Sequence, residues 1–176
     1  MRPIVTIAAV VGLAACPSPT PPDADVEATL QISSPAFDDG AVIPELHTCE
    51  GDDTPPPLVW SGEPDATVTF AVILTDLDAP GETFTHWLVA GIPGASEGLP
   101  DGAVPAGAVV GTNQFGEVDY GGPCPPSDDD PHQYVFAVYA LSDTSDLEDG
   151  FSAAALDEVL DEHALARGTL SGYYDR

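Results

Sequence analysis

The residues best suited to chemistry are two acids, two imidazoles and a tyrosine, carried by two stretches far apart in the chain. The first stretch is Asp76-Leu77-Asp78-Ala79-Pro80, followed by His86-Trp87. The second is Gly121-Gly122-Pro123-Cys124-Pro125-Pro126, which leads to His132-Gln133-Tyr134. Side chains two apart in an extended chain point the same way. Asp76 and Asp78 are therefore expected to aim at one spot beyond a strand end. By the same rule His132 and Tyr134 share a strand face that continues through Phe136 and Val138. Two carboxylates that close repel unless donors or cations offset them. Imidazole N–H groups and loop amides are such donors, and together they suit a small anion. Taken singly, each feature has a plainer reading. An Asp-x-Asp at a strand end commonly caps a turn, and a histidine at a strand start is more often structural.

Two other chemistries compete for the same residues. Asp76, Asp78, His86 and His132 have the donor types of a zinc or manganese hydrolase, but no His-Glu-x-x-His spacing accompanies them. Cys124, in the loop that leads to His132, superficially resembles half of a Cys–His pair. No Gly-x-Ser-x-Gly elbow occurs. No catalytic residue, metal or cofactor is assigned on this reading.

The elements that must position these residues are mainly strands. Thr67–Thr75 is rich in β-branched residues and apolar on both faces, as a buried central strand should be. Phe84–Ile92 and Gln133–Leu141 read the same way. Ala28–Ser33 is a short alternating segment. Residues 93–131 are dense in Gly and Pro and read as long loops with a short strand near Ala108–Thr112; such loops commonly carry function. One helix is expected after Ser152, a fair N-cap, with Leu156, Val159, Leu160 and His163 along its inner stripe. Gly168 is expected to stop it, and Leu165–Tyr174 reads as a last strand.

Composition narrows the partners. The 176 residues include 30 acidic and 3 basic ones, for a formal charge of −27. Nucleic acid needs a basic footprint, and none exists here. An anionic membrane surface would repel the chain. The acidic balance suits a solvated surface, at ease in high salt. The N-terminus reads differently. Arg2 precedes an apolar run, Ile4–Leu13, that is too short for the roughly 20 residues of a membrane span. It reads as an export signal over residues 1–15. Leu13-Ala14-Ala15-Cys16 resembles a bacterial lipobox, in which Cys16 would be lipidated and become the first mature residue. The proline-dense stretch 16–27 reads as a tether, and residues 28–176 as one domain. The expected location is the cell envelope, with the membrane contacted through acyl chains on Cys16. Cys49 and Cys124 then remain, either as a disulfide formed in an oxidising compartment or as two buried thiols.

The order and spacing of the motifs resemble the phosphatidylethanolamine-binding protein family, in particular its bacterial YbhB/YbcL group, also called Raf kinase inhibitor-like. That family carries Asp-Pro-Asp-x-Pro followed by His-Trp, then Gly-Pro-x-Pro-Pro and His-Arg-Tyr. Thr48-Cys49-Glu50-Gly51 and Pro56-Pro57-Leu58-Val59-Trp60 are similar to two further stretches of its bacterial and archaeal members. The resemblance spans roughly Leu30 to the C-terminus. It implies a mainly β fold, an antiparallel β-sandwich with long loops and a C-terminal helix. It also implies a small surface pocket for phosphate-type head groups or other small anions, at Asp76, Asp78, Pro80, His86, Cys124, His132 and Tyr134. Two positions depart from the pattern. Leu77 stands for the usual proline, and Gln133 for the usual arginine. Neither Arg167 nor Arg176 belongs to the motifs, so the implied anion binding is weak and salt-dependent. The family also contains regulators of proteases and kinases, so a protein partner is the alternative to a small ligand.

Overall fold

A computed structural model describes Val26 and residues 28–176. The expected signal, Cys16 and the tether other than Val26 lie outside the described residues. Ten strands and one α-helix follow in order. They are β1 (Ala28–Thr29), β2 (Gln31–Ser33), β3 (Ala41–Val42), β4 (Leu58–Ser61), β5 (Thr69–Asp76), β6 (Phe84–Pro93), β7 (Gly98–Leu99), β8 (Val109–Val110), β9 (His132–Leu141), α1 (Ala153–His163) and β10 (Ala164–Tyr174).

Seven strands form the large sheet in the order β1-β10-β9-β5-β6-β8, with β3 also on β10; β2, β4 and β7 form a second sheet. The long strands pair antiparallel, as the resemblance implies. The two-residue strands β1 and β3 instead add parallel to the outer edge of β10. The expected segment Ala28–Ser33 thus divides. Its first half joins the large sheet and its second half the small one. Leu30 is buried at the crossing and donates its N–H to the Arg167 carbonyl at 3.0 Å.

The large sheet is covered on both faces, and the alternation along β5 shows how. Phe70, Val72 and Leu74 point into a core shared with Leu58, Trp60 and Leu99 of the small sheet. Ala71 and Ile73 point the other way, onto Phe151 and onto Leu156 and Leu160 of α1. A strand buried on both faces reads as a continuous apolar run, which is what Thr67–Thr75 displays. Ser152 caps the helix, its hydroxyl accepting from the Ala155 N–H at 3.2 Å.

Gly168 does not stop the helix. α1 ends at His163 and passes straight into β10, and Gly168 lies in the middle of that strand. A Cβ there would sit 2.5 Å from the Leu30 carbonyl oxygen and 2.7 Å from Ile32 Cγ1. Its smallness lets the β1–β2 link cross close over β10.

Candidate functional site

The two motif stretches meet at one end of the large sheet. β5 and β10 end there, and β6 and β9 begin there. The pairing places Asp76 opposite both Phe84 and Tyr134, and His132 opposite Tyr174. Asp76, His86, His132 and Tyr134 are all buried.

One carboxylate oxygen of Asp76 accepts a hydrogen bond from His132 Nδ1–H at 2.7 Å. The other accepts the Asp78 backbone N–H at 2.9 Å. His86 Nδ1–H donates to the Gly121 carbonyl at 2.8 Å. A carboxylate and a carbonyl can only accept. Both imidazoles therefore carry their proton on Nδ1. His132 Nε2 stands 3.7 Å from Asp129 Oδ2 at the surface.

The Tyr134 ring lies between the two histidines. Its centroid is 5.3 Å from that of His86, edge-on, and 6.4 Å from that of His132, stacked. The Tyr134 hydroxyl is buried without a hydrogen bond of ordinary geometry, although the Asp76 carboxylate and the Cys124 backbone stand nearest to it. Burial pushes its pKa far up, and the Asp76 charge adds to this. For His86 burial works in the other direction and lowers the pKa. The Gly121 backbone and the charges of Asp76 and Asp53 oppose the lowering without cancelling it.

The Gly/Pro loop roofs this cluster and is fastened from three sides. Gly121 N–H donates to the His86 carbonyl at 3.2 Å, and Gly122 N–H to Asp53 Oδ1 at 2.7 Å. Cys49 N–H donates to the Pro123 carbonyl at 3.2 Å, and Cys49 is disulfide-bonded to Cys124. The bond settles which of the two expected states the cysteines adopt, and it leaves no thiol at Cys124 for a Cys–His pair. Gly122 admits no side chain: a Cβ would lie 2.5 Å from Asp53 Oδ1 and 2.6 Å from the His47 carbonyl oxygen.

Asp78 behaves differently from its expected role. It is exposed, and its carboxylate accepts the Gln133 N–H at 2.8 Å. The Leu77 N–H donates to the Gln133 carbonyl at 2.9 Å. Asp76 and Asp78 therefore do not aim at one spot. Asp76 orients His132, while Asp78 pins the start of β9. The metal alternative needed all four side chains to converge, and among the described residues no group of three or more His, Cys, Asp or Glu is arranged to hold an ion. Pro80 sits exposed in the turn between β5 and β6.

Several neighbours escape the motif reading. Phe84 and Phe115 pack with tilted planes, centroids 4.8 Å apart, and both contact the His86 ring edge-on, at 5.0 and 5.2 Å. Phe115 is 50% exposed, so the site has an apolar lip beside its polar floor. Asp53 approaches from the acidic turn 50–53, which begins inside the Thr48-Cys49-Glu50-Gly51 stretch but carries Asp53 beyond it. Arg176, which no motif includes, donates Nε–H to the Pro125 carbonyl at 2.6 Å.

A sheet pair with a helix behind it and a His/Asp/Tyr cluster under a Gly-Pro roof defines a class of proteins. Over residues 33–175 the chain matches the family model for phosphatidylethanolamine-binding protein, and it belongs to that family. Among its relatives is a UPF0098 protein of Methanothermobacter thermautotrophicus, 40% identical over 152 residues, covering 84% of this chain and 99% of that protein. YbcL of Escherichia coli is another, 36% identical over 162 residues, covering 84% of this chain and 88% of YbcL. The crystal structure of YbcL, described as a member of the mammalian PEBP family, superposes with a TM-score of 0.78 at 37% identity, covering 85% and 99% of the two chains. That of the Chlamydia trachomatis homologue CT736 gives 0.78 at 34% identity, covering 84% and 98%.

Proposed function

We propose that the domain binds a small phosphate-type anion, free or as a phospholipid head group, and is a binding protein rather than an enzyme. The observation that carries this reading is the Tyr134 hydroxyl, buried beside His86, His132 and Asp76 with no hydrogen bond of ordinary geometry. Leaving a buried donor unpaired costs about 1–3 kcal/mol. A ligand oxygen that accepts from this hydroxyl would remove the penalty.

The reading extends to location. Leu13-Ala14-Ala15-Cys16 supports export and a lipid on Cys16, which would hold the domain at the cell envelope. The chain's charge of −27 makes anion binding sensitive to ionic strength. Calorimetric titration of the purified protein with phosphoethanolamine tests the proposal. Saturable binding that changes with salt is expected. A flat titration at every salt concentration would sink it.

A further inference from the structure

Arg176 is the feature of the site that no motif explains. Arg167 and Arg176 are the only Lys or Arg residues within 28–176, a stretch that carries 27 acidic residues. Arg167 sits far from the site on β10, its guanidinium 5.6 Å over the Tyr139 ring. In so negative a field an exposed guanidinium is expected to take a carboxylate partner. Arg176 instead docks on the roof of the site. Its Nε–H reaches the Pro125 carbonyl at 2.6 Å, and its Nη1 lies 4.0 Å from Cys49 Sγ of the disulfide. No carboxylate stands within salt-bridge distance of it among the described residues.

The strand register explains how it gets there. Tyr174, the last residue of β10, pairs with His132, the first of β9. Two residues further on, Arg176 lies against Pro125 of the Gly/Pro loop. One of five guanidinium N–H donors is spent on Pro125, and the others keep the planar fork that suits phosphate. The charge also reaches the unpaired hydroxyl: Arg176 favours the ionised form of Tyr134, against the larger effect of burial.

We infer that Arg176 is the cationic anion-holding residue of this site, in a chain that carries Gln133 where the resembled family usually carries arginine. The inference rests on the binding function proposed above. The ligand class is a phosphate group, held on one side by the Tyr134 and histidine cluster and on the other by Arg176.

Three variants of the full chain separate the possibilities: Arg176→Ala, Arg176→Lys and Arg167→Gln. Each is titrated with inorganic phosphate and, in a second arm, with phosphoethanolamine. A lost charge-assisted hydrogen bond corresponds to roughly tenfold in affinity. Arg176→Ala is therefore expected to bind about tenfold more weakly in the arm where the wild type binds, with Arg176→Lys recovering part of the loss and Arg167→Gln staying near wild type. The arm with the tighter wild-type binding identifies the source of the phosphate group. Equal affinity of Arg176→Ala and wild type overturns the role of Arg176 and leaves the proposed function standing. An equal loss in Arg167→Gln overturns it too, because the effect is then one of net charge. No saturable binding by the wild type in either arm overturns both.

Discussion

His86 couples the site to pH through burial. Its ring is enclosed by Phe84, Phe115 and Tyr134, and this desolvation lowers its pKa below the ordinary 6.5. Asp76 from β5 and Asp53 from the acidic turn favour the charged ring, but burial prevails. In the unfolded chain the histidine takes its proton near the ordinary value, while the folded protein still refuses it. Below that value the unfolded state therefore binds more protons, and stability falls as pH falls. The contribution is fully present above 6.5 and is lost as the pH drops through the folded-state value. Urea midpoints measured between about pH 7 and 5.5 should decline more steeply for the wild type than for His86→Gln. Parallel slopes would refute this.

At the scale of elements, β10 organises the molecule. One edge pairs with β9 along its whole length, and the other receives β1 and β3. Gly168 makes this possible by admitting the Leu30 carbonyl and Ile32 where a side chain would stand. Gly168→Ala is expected to destabilise the fold by about 1–3 kcal/mol, because the nearest atom is the Leu30 backbone oxygen, which cannot swing aside. Thermal unfolding would show it, and an unchanged melting temperature would mean that the crossing is loose. The long elements were legible in the sequence for physical reasons. β5, β6 and β9 are buried on both faces and have runs of Val, Ile, Leu, Phe and Tyr long enough to register. β3, β4 and β7 hold two to four residues each, too few to show a period. The split of Ala28–Ser33 is invisible locally, since it depends on which sheet each half meets. At the site, Asp76, His86, His132 and Tyr134 were legible from motif order. The separate duty of Asp78 was not, because period-two reasoning holds only while the strand continues, and β5 ends at Asp76. Arg176 was hidden because its place follows from the register of β10 against β9 rather than from its neighbours in sequence.

For the whole molecule, charge and cross-linking act in opposite directions. A formal charge of −27 strains the folded state by self-repulsion, while the Cys49–Cys124 bond closes a loop with a sequence separation of 75. A loop of that length removes enough unfolded-state entropy to contribute about 4 kcal/mol in the chain-entropy account. The double variant Cys49→Ser/Cys124→Ser should lose stability on that scale in urea unfolding, and retention of the wild-type midpoint would exclude the contribution. The bond also ties the 45–51 segment to the Gly/Pro roof, so the same covalent link that limits the unfolded chain keeps the cover of the site in place.

The order of strands along the chain has a consequence for biosynthesis. β10 is the last strand of the described chain to leave the ribosome, yet β1 and β3 depend on it for their partner and β9 for one of its two. Until it emerges, the earliest strand has nothing to pair with and the longest hairpin shows a bare side. The nascent polypeptide thus stays unfinished until nearly all of the described chain has been made.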